Sequence, residues 1–588
     1  MKDDQKNFVI FAVLAAALLF AWQPLMHWVF PQQQPAPTKV VNGKSQALPQ
    51  PGADPAADSP KALRDRAAVL AESPRVAIDT PALRGSINLK GARIDDLQLP
   101  KFRETVAKNS PAVTLFSPSG TKGAYFAGFG WIAGGVAVPT KDTVFEADGT
   151  VLKPGTPVTL RWDNSTGQRF SVRFSVDDNY LFTAEQSVAN LGSAPVSVRP
   201  YSLLSRTGVP TDPDSWTNHI GPLGAFANGA NYDISYKNLE GQEPGFFSKI
   251  FGTSAKAGEN AFNVKGGWIG FGDKYWLSAL IPDQKLQVNA AFRPAQGDTF
   301  QADAALPKIE IPAGKRIVTT SHVFAGAKEV RALDHYESSL GVAHFGNAID
   351  WGWFQILEKP IFYYLGWLFH LVGNFGIAII LLTITIRGLL FPIAQKQFAS
   401  MAKMRLLQPK MKAVQERYKD DKQRQQQEVM KLYKDEKVNP LAGCLPILLQ
   451  IPIMFALYKV LLLTIEMRHQ PFFGWIHDLS APDPATILNL FGYLHFTPPS
   501  FLAIGVVPVL LGVSMFFQMK FNPAPMDEMQ KQIFAIMPWM LMFMMAPFAV
   551  GLQIYWITSN CLTVLQQQFL YARHPALKEP VKKEAKAK

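Results

Sequence analysis

The chain has 588 residues, of which 48% are hydrophobic and 18% are charged, with a formal net charge of +12. It lacks the Gly-x-x-x-x-Gly-Lys-[Ser/Thr] phosphate loop, which argues against an ATP- or GTP-driven motor. Apolar segments lie near the N-terminus and across residues 361–571, whereas the middle has the composition of a water-soluble domain. This distribution predicts a polytopic membrane protein that carries a large soluble domain.

The first 30 residues predict an uncleaved membrane anchor. An apolar stretch begins at Phe8, and the bulky residues 23–30 that follow lack an Ala-x-Ala cleavage signature. Lys2 and Lys6 precede the stretch and favour a cytoplasmic N-terminus. Residues 31–75 are rich in Pro, Gln, Ala and Ser, and we expect a flexible linker there.

Residues 76–341 predict an all-β domain. Phe170, Val172, Phe174 and Val176 alternate with polar residues, which places the apolar side chains on one face of a strand. Gly and Pro clusters separate such runs at short intervals, which is typical of a β-sandwich. The two cysteines, Cys444 and Cys561, fall outside this domain, so it has no disulfide.

The C-terminal half predicts most of the membrane-spanning segments. Residues 345–360 are aromatic and amphipathic and are expected to form a helix at the outer interface. The basic loop 395–439 and the basic tail 572–588 mark the cytoplasmic side. Six spans are predicted, and this number places both termini in the cytoplasm and the β domain outside. The spans are residues 8–30, 361–392, 441–464, 500–519, 531–548 and 549–570.

The loop 395–439 predicts a cytoplasmic helical hairpin. A 3-4-3-4 spacing of apolar residues in its first half is the seam of a helix that packs on another, and it comprises Met404, Leu407, Met411, Val414 and Tyr418. A second helix is expected from Lys422 to Glu436. The loop is either a solvated connector or a docking arm for incoming polypeptide or ribosomal RNA. The candidate docking residues are Lys403, Arg405, Lys410 and Lys412.

Arg387 is the most informative residue of the apolar half. An arginine at the centre of a membrane helix costs about 2.5–3.5 kcal/mol on insertion scales, and no acidic residue lies in its segment. It either extends to the cytoplasmic headgroups or serves a function that requires buried charge. Further polar residues in the predicted spans favour a hydrated groove, and they are Thr383, Gln450, Gln553, Thr558, Ser559 and Asn560.

The predicted spans have no acidic residue in their interiors, which disfavours a proton-coupled transporter. The histidines have no metal-ligand spacing with cysteine or acidic partners, so no metal is expected.

Several motifs occur in an order and spacing that resemble the YidC/OxaA family of membrane protein insertases. They are IRGLLFP at 386–392, SMAKMR at 400–405, NPLAGCLP at 439–446, WIHDLS at 475–480 and YWITSN at 555–560. The resemblance covers residues 345–575 closely. The β domain, with Gly-Gly-Trp at 266–268, is more loosely similar to the periplasmic domain of Gram-negative members.

The resemblance implies a multi-domain fold: a polytopic α-helical core, a periplasmic β domain similar to the supersandwich of sugar-processing enzymes, and the cytoplasmic hairpin. The core, residues 361–571, has five helices, which makes six spans with the anchor. Its hydrophilic groove is open to the cytoplasm and the bilayer and closed toward the periplasm. Arg387 and Thr383 match groove positions of the first core helix. In the last core helix this chain has Trp556 where the family often has a Tyr, with Tyr555 beside it, so an aromatic groove wall is still implied.

The implied function is non-enzymatic insertion of nascent membrane proteins into the bacterial inner membrane, with no cofactor. The implied partners are nascent chains, the Sec translocon, the ribosome and the lipid bilayer, and no DNA partner is expected. The alternative is a membrane-anchored carbohydrate-binding protein or carbohydrate-active enzyme that acts through residues 76–341.

Overall fold

The computed structural model divides the chain into two compact units, one ending at Asp350 and the other beginning at Trp351. The residues it describes are 63–212, 218–226, 229–243, 255–395, 407, 409–411, 413–414, 416–418, 421–436, 445–486, 488–489, 491, 494, 504–521 and 528–573. The predicted anchor at 1–30 and the linker up to residue 62 therefore lie outside the described residues. So do Lys403, Arg405, Lys412 and all but the first two residues of the tail 572–588.

The first unit is built mainly of β-strands. In chain order they are β1 Arg75–Asp79, β2 Arg84–Asn88, β3 Arg93–Arg103, β4 Ala112–Phe116, β5 Tyr125–Ala133, β6 Glu146–Ala147, β7 Val151–Leu152, β8 Val158–Asp163, β9 Gln168–Val176, β10 Leu181–Asn190, β11 Val196–Thr207, β12 Gly221–Phe226, β13 Gly229–Asn231, β14 Asn260–Lys265, β15 Trp268–Gly272, β16 Trp276–Pro282, β17 Gln287–Pro294, β18 Thr299–Ala305, β19 Ile309–Ile311 and β20 Arg316–Ala327. Among the described residues of this unit, three short α-helices accompany the strands: α1 Arg66–Leu70, α2 Tyr236–Leu239 and α3 Val330–Leu340. Helix α1 lies within residues 31–75, which the composition assigns to the linker.

The strands form two large sheets. One follows the order β14-β17-β18-β11-β5-β3-β2-β1-β7, with β19 on β11 and β4 on β3. The other follows the order β13-β12-β15-β16-β20-β10-β9-β8-β6. Aromatic pairs join the two sheets: Phe129 meets Phe174 at 5.3 Å between ring centroids, and Trp131 meets Phe170 at 5.2 Å. The predicted β-rich domain is therefore confirmed.

The second unit is helical. Its helices are α4 Gln355–Val372, α5 Phe375–Leu389, α6 Lys422–Asp435, α7 Leu445–Leu463, α8 Val506–Phe521, α9 Glu528–Met545 and α10 Val550–Arg573. Helix α10 packs against α5, α7 and α8, helix α4 packs against α5 and α7, and α8 also packs against α9. By length and hydropathy, none of the helices within the described ranges qualifies to cross a membrane. The six spans expected from the sequence stay a prediction.

Residues 361–392, which the sequence suggests as one segment, form parts of two helices. Gly373 ends α4 in a left-handed conformation with φ 68°, and its N–H donates to the carbonyl of Phe369 at 2.7 Å. The side chain of Asn374 then caps α5 by accepting from the N–H of Ile377 at 3.1 Å. The helix expected at 345–360 accordingly begins only at Gln355 and continues to Val372.

Candidate functional site

The N-termini of α5 and α10 lie at the same end of the helical unit, beneath the loop between α7 and α8. In this loop the ring of Phe472 packs so closely on Gly376 that a Cβ atom there would lie 2.0 Å from it. The loop carbonyl of Ala481 accepts a hydrogen bond from the N–H of Val550 at 2.9 Å. Because α5 and α10 also pack against each other, they run side by side in the same direction. The loop covers the end at which both helices begin, which we call the closed end.

Arg387 and Ser559 meet along this pair of helices. Arg387 is in the fourth turn of α5, about 18 Å from the first residue of the helix. Its Nε donates to Ser559 Oγ at 3.0 Å, and its Nη2 donates to the same oxygen. Ser559 is 1% exposed and Arg387 is half-buried. Within the described ranges, no salt bridge includes Arg387, so its guanidinium is held by a neutral hydroxyl.

A second polar contact lies one turn earlier on α10. Gln450 Nε2, on α7, donates to Tyr555 Oη at 2.5 Å. Tyr555 and Ser559 are four residues apart and therefore share one face of α10. This face thus bears a polar cluster, Arg387, Gln450, Tyr555 and Ser559, that draws on α5, α7 and α10.

The other predicted groove residues have different surroundings. Thr383 is fully buried, and its hydroxyl donates to the carbonyl of Ile379 in its own helix at 2.7 Å. Asn560 is directed to α8, where its Nδ2 donates to Ser514 Oγ at 3.0 Å. Trp556 is half-buried on α10. The structure therefore brings only part of the predicted set together.

Two residues of the site were missed by sequence reasoning. Gln566 Nε2 donates to the backbone carbonyl of Arg387 at 3.4 Å. Ser514 Oγ accepts a hydrogen bond from Asn560 Nδ2. Gln566 follows Ser559 by seven residues, so its place on the same face was available from the helical period. The signal for Ser514 was a lone hydroxyl in an otherwise apolar segment.

The described part of the loop 395–439 forms a small apolar cluster between two helical stretches. Leu407, Met411 and Tyr433 are buried there, as the predicted seam requires. Lys410, a candidate docking residue, forms a salt bridge of 2.6 Å with Glu436, and its side chain is 61% exposed.

The strongly perturbed ionisable groups of the β unit are in its packed interior. Burial raises the pKa of Asp303 to about 6, although the neighbouring Arg293 acts in the opposite direction. Burial likewise lowers the pKa of Lys328 to about 8. Both residues are at most 2% exposed, so neither can meet a solute. Among the described residues there is no cluster of three or more His, Cys, Asp or Glu that could hold a metal ion.

Known families account for most of the chain. A family described as YidC periplasmic domain matches residues 75–364, and a family described as 60Kd inner membrane protein matches residues 367–578. The molecule is therefore an inner membrane protein with a periplasmic β domain. A relative from Zymomonas mobilis subsp. mobilis, called membrane protein insertase YidC, is 49% identical over 582 residues, which cover 98% of this chain and 97% of the relative. The chain belongs to the YidC family.

Solved structures give more distant likenesses. A crystal structure of an active YidC insertase with its first transmembrane domain resolved is 17% identical, covers 84% of this chain and 92% of its own, and has a TM-score of 0.35. A galactose mutarotase related enzyme from Lactobacillus acidophilus is 8% identical, covers 43% of this chain and 97% of its own, and has a TM-score of 0.29.

Proposed function

We propose that this protein is a membrane protein insertase that acts without catalysing a covalent step. It receives nascent inner-membrane proteins, carries their short polar segments across the bilayer, and releases their apolar helices sideways into lipid. Support comes from the family of the chain. It also comes from relatives named membrane protein insertase, which this chain matches over almost their whole length.

The membrane arrangement we propose has six spans with both termini in the cytoplasm. Residues 8–30 supply the anchor, and α5, α7, α8, α9 and α10 supply the five spans of the core, while α4 lies along the outer interface. Large apolar side chains exposed on the helices support this arrangement, because such surface is stable in contact with lipid. They include Leu510, Phe517, Ile536, Leu565 and Phe569.

The observation that carries the mechanism is the contact of Arg387 with a neutral partner. Because Ser559 does not neutralise the guanidinium, the site keeps a positive charge within the helical unit. If the closed end faces the periplasm, Arg387 lies about 18 Å from that face of a hydrocarbon core roughly 30 Å thick. A guest carboxylate that reaches this depth gains a cationic partner and the polar groups of Tyr555 and Gln450.

Two forces then complete the transfer. The membrane potential contributes about 2.3 kcal/mol per charge for each 100 mV when an acidic residue moves outward. Burial of the guest helix in lipid contributes about 25 cal/mol per Å² of apolar surface. No nucleotide is needed for either force.

The cytoplasmic hairpin is the proposed docking arm for incoming chains. Lys403, Arg405, Lys410 and Lys412 provide positive charge beside the membrane, which attracts ribosomal RNA or acidic polypeptide. The Sec translocon and the ribosome are the partners we propose for this arm and for the basic tail.

The proposal is tested by depleting the protein in cells and complementing with wild type, Arg387→Lys or Arg387→Ala. Two guests are compared that differ only in an acidic or a neutral N-terminal tail. We expect Arg387→Ala to translocate the acidic tail poorly and Arg387→Lys to retain most activity, because it keeps the charge. Arg173→Ala, on the surface of the β domain, is the control for loss of an arginine. Full translocation of the acidic tail by Arg387→Ala would contradict the proposal.

A further inference from the structure

Ser559 is placed to act on Arg387 and not on a guest. Its side chain is 1% exposed, so a passing polypeptide cannot reach it without displacing the helices around it. Its hydroxyl oxygen accepts from Nε and from Nη2 of Arg387, the two nitrogens on one edge of the guanidinium. The backbone of Arg387 is held from the same face of α10, since Gln566 donates to the Arg387 carbonyl at 3.4 Å.

This geometry fixes the direction in which the charge is presented. A guanidinium held by Nε and Nη2 turns its opposite edge, with Nη1, away from the supporting residue. Within the described residues, Nη1 has no recorded hydrogen bond. That edge therefore offers two N–H donors to a ligand, and the planar fork suits a carboxylate.

The chemical nature of the partner matters as much as its position. An aspartate at this place would hold the guanidinium more strongly, because its carboxylate would add ionic attraction to the hydrogen bonds. It would also cancel the charge that a guest is meant to meet. A serine orients the arginine and leaves the charge at +1.

We propose that Ser559 is a positioning residue that makes the groove selective for acidic guest segments by orienting Arg387 without neutralising it. The inference rests on the proposed function, in which Arg387 meets the translocating segment. The ligand class is a carboxylate of the guest chain.

The test uses the full-length protein in the depletion strain and guests whose N-terminal tail carries two Asp, two Asn or two Lys. The measured quantity is the ratio of translocation of the Asp tail to that of the Asn tail. For Ser559→Ala we expect this ratio to fall about tenfold, the value of one hydrogen bond to a charged group. Ser559→Thr keeps the hydroxyl and should retain the ratio. Ser559→Asp should abolish the preference for the Asp tail and increase the translocation of the Lys tail.

Cys561→Ala is the matched control on the same helix, because it also truncates a small polar side chain to Ala. Cys561 is exposed and lies two residues after Ser559, so its loss should leave the ratio unchanged. A general packing defect would lower the translocation of all three guests together. The proposal instead requires a change in translocation that depends on the charge of the guest tail. The Asn tail therefore also reports whether each variant folds.

Two failures can be told apart. If Arg387→Ala lowers the ratio but Ser559→Ala keeps the wild-type ratio, the positioning role is overturned and the proposed function stands. If Arg387→Ala itself leaves the ratio unchanged, the electrostatic mechanism fails and the role of Ser559 fails with it.

Discussion

Two ion pairs in the β domain have the same forked geometry but different burial, and they provide a controlled test of the energetic reasoning. Arg206 binds Asp273 through contacts of 2.6 and 3.2 Å, and the side chains are 12% and 15% exposed. Arg169 binds Asp163 through two contacts of 2.7 Å, with side chains 48% and 55% exposed. The perturbation is Asp→Asn at each position, which keeps the side-chain volume and removes the charge.

The expected costs differ because of what each substitution leaves behind. Asp273→Asn leaves Arg206 with a side chain only 12% exposed, 5.0 Å from the ring centroid of Tyr125, so little solvation can replace the lost carboxylate. Removal of one partner of a buried pair costs about 3–5 kcal/mol. Asp163→Asn leaves an arginine that water can solvate, and exposed pairs contribute about 0.2–1 kcal/mol. The buried substitution should therefore cost at least about 2 kcal/mol more.

The assay is urea unfolding of a fragment of residues 63–350, which has its own core, followed by tryptophan fluorescence. The difference in the free energy of unfolding should persist in 1 M salt, since screening affects exposed charges most. If the two substitutions cost the same, the reasoning that burial of the pair sets the cost of losing its carboxylate is wrong.

Two further predictions concern pH and packing. Burial raises the pKa of Asp303 to about 6 from 3.8, so its contribution to stability is present below pH 4 and is lost as the pH rises through 6. Between pH 4 and 7 the wild-type fragment should lose up to about 3 kcal/mol relative to Asp303→Asn, and parallel pH profiles in urea unfolding would contradict this. Gly376→Ala should cost about 1–3 kcal/mol because the methyl group overlaps Phe472, and it should speed hydrogen exchange in the loop at 470–481. Gly388→Ala, which meets nothing within 4 Å, should leave that exchange unchanged.

Local patterns predicted local structure well. Phe170, Val172 and Phe174 alternate in the sequence, and all three are fully buried in β9. Such a pattern is determined by neighbours along the chain, because side chains of a strand alternate between its two faces. The seam of Leu407 and Met411 in the hairpin follows from the helical period in the same way.

Contacts between distant segments were not predictable from such patterns. Arg387 and Ser559 are separated by 172 residues, and no periodicity relates them. Their polarity within apolar segments nominated both residues, but it gave neither their contact nor the direction of the guanidinium. The contact of Asn560 with Ser514 was missed for the same reason.

The break between α4 and α5 was missed although its signals are local. Gly373 and Asn374 interrupt an apolar run, and they are residues typical of a helix end and a helix start. Hydropathy alone does not register them, because it averages over the window in which the turn occurs.

The central claim is that a translocating segment occupies the space beside Arg387, and photo-cross-linking tests it most directly. A photoreactive amino acid replaces Trp556, which is half-buried three residues before Ser559, or Leu565, which is 60% exposed. With a ribosome-stalled guest, we predict that the polar N-terminal tail cross-links to position 556 and that the tail does not cross-link to position 565. A tail that cross-links at 565 and not at 556 would contradict the account.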